Sequence, residues 1–143
     1  MRQFIIILLA SISLPAFAGK DIAITVDQLP TNAKKFIYRH FAKKNISLAK
    51  MEKETFSKSY EVIFTNGSKV EFDSNGQWTE IDCEFSKVPD SIIPEKIRKY
   101  ITTNYGETKV IEIDRDRKKY EVRLSNGLEL VFDLKFNLIG IDD

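Results

Sequence analysis

The sequence holds one cysteine, one histidine and one tryptophan among 143 residues, and each scarcity removes a class of explanation. The single thiol, Cys83, cannot close a disulfide within its own chain, so the apolar core alone has to hold the fold. The single histidine, His40, cannot build the His and Cys cluster of a zinc centre. Phosphate-binding glycine loops, Cys-x-x-Cys pairs and the Gly-x-Ser-x-Gly nucleophile turn are all missing. An excess of charge is missing too, since the formal net charge is +1, and nothing in that balance points to a nucleic-acid partner. No catalytic signature is present, and neither a cofactor nor a metal is expected.

The long apolar run is confined to the start of the chain. Met1-Arg2-Gln3 is a short positive opening, Phe4 to Leu14 an apolar stretch and Ala16-Phe17-Ala18 a small-x-small cleavage site, which together read as a secretory signal peptide over residues 1–18. The stretch is too short to cross a bilayer, so no membrane span is expected once it is removed. The protein is therefore expected in the periplasm or outside the cell. Cleavage after Ala18 takes 18 of the 143 residues and leaves 125, enough for one domain over 19–143. The residue directly after the cleavage site is Gly19 and not a cysteine, so a lipoprotein is not expected. With Arg2 gone, 21 basic side chains face 21 acidic ones.

The most informative feature is a phrase that occurs twice. Tyr60-Glu61-Val62-Ile63-Phe64-Thr65-Asn66-Gly67, followed by Val70-Glu71-Phe72-Asp73, returns 60 positions later as Tyr120-Glu121-Val122-Arg123-Leu124-Ser125-Asn126-Gly127 with Leu130-Val131-Phe132-Asp133. Ahead of each copy stands an amphipathic helix pattern. Ala33, Phe36, Ile37, His40 and Phe41 form one stripe behind Leu29-Pro30-Thr31-Asn32, and Ile93, Ile97, Tyr100 and Ile101 form the other behind Val88-Pro89. Four short strands follow each helix. The expectation is an α+β fold: a tandem repeat of two helix-plus-four-strand units, about 27–83 and 88–143, forming one antiparallel sheet of about eight strands with the helices on one face.

Side-chain parity fixes the hairpin loops. A two-residue Asn66-Gly67 loop would set Phe64 against Lys69 and Val62 against Glu71, mixing apolar and charged residues on both faces. A three-residue loop, Thr65-Asn66-Gly67 with Gly in the left-handed region, pairs Val62 with Val70 and Tyr60 with Phe72. The second copy gives the same answer for Val122 with Leu130 and Tyr120 with Phe132.

These motifs, together with the Asn75-Gly76-x-Trp78 turn and the Val88-Pro89 helix start, resemble the PepSY-like, β-lactamase-inhibitor-like family of exported bacterial proteins over about residues 27–143. The resemblance implies a two-layer fold similar to β-lactamase inhibitor protein and a role in protein binding or inhibition in the periplasm. The second copy has Leu138 where the first has Trp78, so a tryptophan-dependent role would belong to the first alone.

The remaining candidates have plain readings. His40 matches Tyr100 at the 60-residue offset, as an amphipathic ring at the edge of a helix stripe. Cys83 is read as a buried apolar side chain, with a disulfide-linked homodimer as the other reading. Asp73-Ser74-Asn75-Gly76 alternates oxygen donors, but its Gly is fourth and strands flank it, which makes it a turn and not a calcium loop. The leading expectation is a non-catalytic module that binds an unidentified periplasmic or extracellular protein on the open face of the sheet. Its candidate contact residues are Glu61, Ile63, Lys69, Glu71, Arg123, Val131 and Trp78. A three-residue loop Ser74-Asn75-Gly76 would pair Trp78 with Phe72 in the core, whereas a four-residue loop that includes Asp73 pairs it with Glu71 on the open face, the arrangement preferred here because Thr79 and Ile81 then turn inward. Ile139 and Ile141, their counterparts, are read as core. A small-ligand carrier is the alternative, and an enzyme comes last.

Overall fold

The computed structural model describes residues 20–42 and 45–143. The expected leader, together with Gly19, Lys43 and Lys44, lies outside the described residues. Among the described residues, nine strands form one antiparallel sheet whose spatial order is the chain order. They are β1 (Lys20–Ile24), β2 (Ile46–Lys53), β3 (Lys58–Phe64), β4 (Lys69–Phe72), β5 (Trp78–Asp82), β6 (Val110–Arg115), β7 (Lys119–Leu124), β8 (Glu129–Asp133) and β9 (Leu138–Asp142). The α-helices among the described residues, α1 (Thr31–His40) and α2 (Glu95–Tyr105), precede β2 and β6.

This architecture corrects the expected pair of helix-plus-four-strand repeats in an eight-strand sheet. The segment ahead of α1 supplies a ninth strand, β1, which pairs all five of its residues with β2 from Lys20↔Lys53 to Ile24↔Ala49. The two helical segments are also unlike each other. α1 starts at Thr31, directly behind Pro30. At the matching place the chain makes turns instead, with Ile92 N–H donating to Pro89 O and Ile93 N–H to Asp90 O. α2 waits until Glu95, because the ring of Pro94 disfavours the helical conformation for Ile93.

The core is organised by one apolar row. Val62, Val70, Ile81, Ile113, Val122 and Leu130 are cross-strand neighbours from β3 to β8, and all are fully buried. Burying each such side chain stabilises the fold by about 1.5–3 kcal/mol. Ala33 and Ile37 of α1 and Ile97 and Ile101 of α2 close over that face.

The β3–β4 and β7–β8 hairpins have the three-residue loops that parity requires. Phe64 N–H donates to Ser68 O at 2.8 Å, Gly67 N–H donates to Phe64 O at 2.9 Å, and Gly67 has φ +91°. The amide oxygen of Asn66 accepts from Ser68 N–H at 2.9 Å, which explains the asparagine. Leu124, Asn126, Gly127 and Leu128 repeat the arrangement.

Trp78 does not lie on the open face. Ser74-Asn75-Gly76 is a three-residue loop closed by Asp73 N–H to Gln77 O at 2.9 Å, and it sets Trp78 opposite Phe72 with both rings facing the helices. A bulge then takes up Thr79, so that Glu71 pairs with Glu80 and Val70 with Ile81. The extra residue lets both Trp78 and Ile81 point inward, a solution that strict alternation excludes. Trp78 is 6% exposed. The β8–β9 hairpin bulges likewise at Ile139, pairing Phe132 with Leu138 and Val131 with Gly140. Because β9 ends the sheet, Ile139 and Ile141 are 61% and 49% exposed and are not core residues.

Gly76 and Gly127 separate two penalties. Both have positive φ, but a Cβ on Gly76 would lie 2.8 Å from Ala33 N and 3.0 Å from Pro30 Cβ, whereas one on Gly127 meets nothing within 4 Å. Gly127→Ala should cost about 1–2 kcal/mol from backbone strain. Gly76→Ala should cost about 1–3 kcal/mol more because it pushes α1 off the hairpin. Urea unfolding of the two variants checks this, and equal losses would contradict the packing of α1 on that loop.

Candidate functional site on the open sheet face

Side chains alternate along a strand, so the residues flanking the buried row must face away from the helices. Along one side of that row, from β3 to β7, the flanking residues are acidic. Glu61 pairs with Glu71, Glu71 with Glu80, Glu80 with Asp114 and Asp114 with Glu121, placing five carboxylates in one line over β3 to β7. Beside the centre of that line Asp82 pairs with Glu112.

Basic partners reach the ends of this line. Lys50 Nζ lies 3.2 Å from both Glu61 and Asp21, and Lys119 lies 3.8 Å from Glu121. Arg123 reaches Glu112 at 3.1 Å and Glu129 at 3.7 Å. Among the described residues, no ion pair is made by Glu71, Glu80 or Asp114. Carboxyl oxygens of Glu80, Glu112 and Asp114 lie within 4.8 Å of one another, and the enclosed Oδ1 of Asp114 has no hydrogen-bond partner.

The electrostatic result is a set of reluctant acids. Burial, followed by the neighbouring Glu61 charge, holds Glu71 above the ordinary carboxylate range. Burial and then Glu71 do the same to Glu80. Glu112 is raised by burial, with Arg123 opposing. Asp114 is pushed up to about 8, first by burial and then by the charges of Glu112, Glu80 and Glu121.

Of the residues expected from sequence, Glu61, Ile63, Lys69, Glu71, Arg123 and Val131 all stand on this face, with Ile63 opposite Lys69 and Val131 opposite Glu121. Trp78 stands on the other. Glu80, Glu112 and Asp114 were not anticipated. Their signal was the inward placement of Ile81 and Ile113, which puts the acids on either side of both outward.

The other candidates have structural roles. His40 Nδ1 lies 2.8 Å from Ser91 Oγ, and burial followed by Arg39 lowers its pKa. Cys83 is 1% exposed, and burial raises its thiol pKa. That burial agrees with the reading of Cys83 as a small apolar side chain of the core. Asp73 Oδ1 accepts from the backbone N–H groups of Asn75 and Gln77 at 2.9 and 3.0 Å, so its oxygen is committed to the turn.

The position of Asp114 sets the sign of a pH effect. Its pKa of about 8 lies above the ordinary 3.8, so its contribution to stability is fully present below pH 4 and is lost as the pH rises through 8. Asp114→Asn should therefore raise stability by roughly 1–3 kcal/mol at pH 9 and leave it nearly unchanged at pH 4. Melting curves at the two pH values check this, and an effect independent of pH would contradict it.

A model of the family described as "Putative beta-lactamase-inhibitor-like, PepSY-like" matches residues 58–140. Among solved structures, one described as a "putative calcium-regulated periplasmic protein" from Bacteroides thetaiotaomicron is 58% identical with a TM-score of 0.84, covering 86% of this chain and 97% of that one. A "putative periplasmic protein from DUF2874 family" of Bacteroides vulgatus is 51% identical with a TM-score of 0.83, covering 87% and 98%. A third, a periplasmic protein "of unknown function" from Bacteroides vulgatus, is 39% identical with a TM-score of 0.80, covering 87% and 100%. No curated protein matches the chain. No helix among the described residues is long and apolar enough to cross a membrane.

Proposed function

The chain belongs to the PepSY-like, beta-lactamase-inhibitor-like family, and from that premise we propose that it is an exported, non-catalytic module that binds a basic protein partner on the open face of its sheet. It is a periplasmic protein, as its solved relatives are described to be. The observation that carries the reading is the line of carboxylates from Glu61 to Glu121 on neighbouring strands. Like charges set directly opposite each other destabilise a sheet, each pair by an amount on the order of 1 kcal/mol or less. Cationic side chains from a partner would remove that repulsion and supply donors for Glu71, Glu80 and Asp114. Electrostatic complementarity of this kind contributes to association rate and specificity.

A second reading concerns what else relieves the same charges. The three converging carboxyls of Glu80, Glu112 and Asp114 and the orphaned Oδ1 of Asp114 are hard oxygen donors of the kind calcium prefers. The 58% identical relative is described as calcium-regulated. Here a calcium ion, completed by water, would occupy the centre of the face and set whether a partner engages it. Uptake would release the proton that Asp114 holds at neutral pH.

Each reading has its own test. A photo-crosslinking residue in place of Ile63 or Val131 should give a defined protein adduct in the periplasm, lost when Glu71→Gln and Glu80→Gln are added, while the same residue in place of Lys99 on α2 gives none. Adducts from Lys99 alone, or equally from all three positions, would contradict the sheet-face reading. For the second reading, calcium should raise the melting temperature of the parent protein and not that of Asp114→Asn. A calcium response identical in both would remove it.

A further inference from the structure

A separate groove of opposite charge lies on the helix side, where α1 meets the loop between β4 and β5. It encloses about 230 Å³ and is lined by Asn32, Lys35, Phe36, Arg39, His40, Gly76, Gln77 and Trp78. Phe36 supplies an aromatic wall, its ring 6.5 Å from Trp78 and 4.6 Å from His40 between centroids. Lys35 and Arg39 stand one turn apart on the same helix face. Among the described residues neither makes an ion pair, and no carboxylate lines the groove.

We propose that this groove binds a small anion with a flat apolar body, an aromatic carboxylate being the simplest. The aromatic wall fits the ring and excludes water from one side of it, while Lys35 and Arg39 supply charged donors that favour an anion. Two like charges at this helical spacing repel each other, and a carboxylate between them would turn that repulsion into two attractions. The walls are built before any ligand arrives. Gly76 packs against the backbone of Ala33, and Asn32 Nδ2 donates to Asn75 O at 3.2 Å, which ties the hairpin to the helix. The volume lies below the range of drug-sized pockets, so the ligand is about one ring in size. The inference does not depend on the acidic face, and either can fail without the other.

Trp78 is the only tryptophan, so its indole N–H gives a single resonance that reports on the groove. Titration with benzoate should shift that resonance and the amide resonances of Phe36 and Gln77 saturably, with a dissociation constant in the millimolar range or tighter. Benzamide, which keeps the ring without the charge, and inorganic phosphate, which keeps the charge without the ring, should each bind at least tenfold more weakly. Lys35 and Arg39 are exposed, so Lys35→Ala with Arg39→Ala should leave the melting temperature unchanged and weaken benzoate at least tenfold. No saturable shift with benzoate, equal binding of benzamide or phosphate, or full binding by the double variant would overturn the proposal.

Discussion

The pairing of Ile81 with Ile113 joins the first five strands to the last four. Both side chains are completely buried, and a slip of one residue would turn each strand's apolar set toward water. That register brings acids together as a direct consequence. With the isoleucines inward, Glu80 must stand against Asp114 and Asp82 against Glu112 on the outer face. The hydrophobic term is the larger, at about 1.5–3 kcal/mol for each buried isoleucine, so the sheet closes despite the repulsion. Arg115 reinforces the junction from the inner side, donating from Nε to Trp78 O at 2.8 Å with its guanidinium 3.9 Å from the centre of the indole ring.

The two layers therefore carry different chemistry. The sheet exposes converging carboxylates with too few cations among them, whereas the groove beneath α1 exposes unpaired cations over aromatic rings. A near-neutral total charge hides this separation. Fold stability and surface chemistry are coupled at Asp114, whose neutral form suits the free protein and whose charged form suits a cationic ligand. Lys50, held by Asp21 and Glu61, shows how the same face behaves where a cation is supplied by the chain itself.

Much of the hairpin geometry was legible in the sequence. The positions of Val62, Val70, Val122 and Leu130 relative to the two Asn-Gly pairs admit one loop length, and that loop is present. Other elements were less accessible for identifiable reasons. Ile22, Ile24 and Val26 alternate ahead of α1, which fits a strand or an extended arm equally, and only the pairing with β2 makes the segment a ninth strand. The bulge at Thr79 breaks the alternation from which the facing of Trp78 was judged. The start of α2 depended on one ring, that of Pro94. Two of the five carboxylates in the line, Glu61 and Glu71, could be anticipated because they share a hairpin. The meeting of Glu80 with Asp114 could not, because their strands are separated by α2 and become neighbours only through tertiary pairing.

The buried register holds Asp114 in an acidic, partly dehydrated setting on the open face. Carboxyl carbon NMR of the folded protein across a pH titration measures this directly. The Asp114 resonance should titrate near pH 8, and Glu80→Gln with Glu112→Gln should move its midpoint down toward the ordinary carboxylate range. A midpoint near pH 4 in the unmodified protein would contradict it, because the carboxylates would then sit together without mutual constraint.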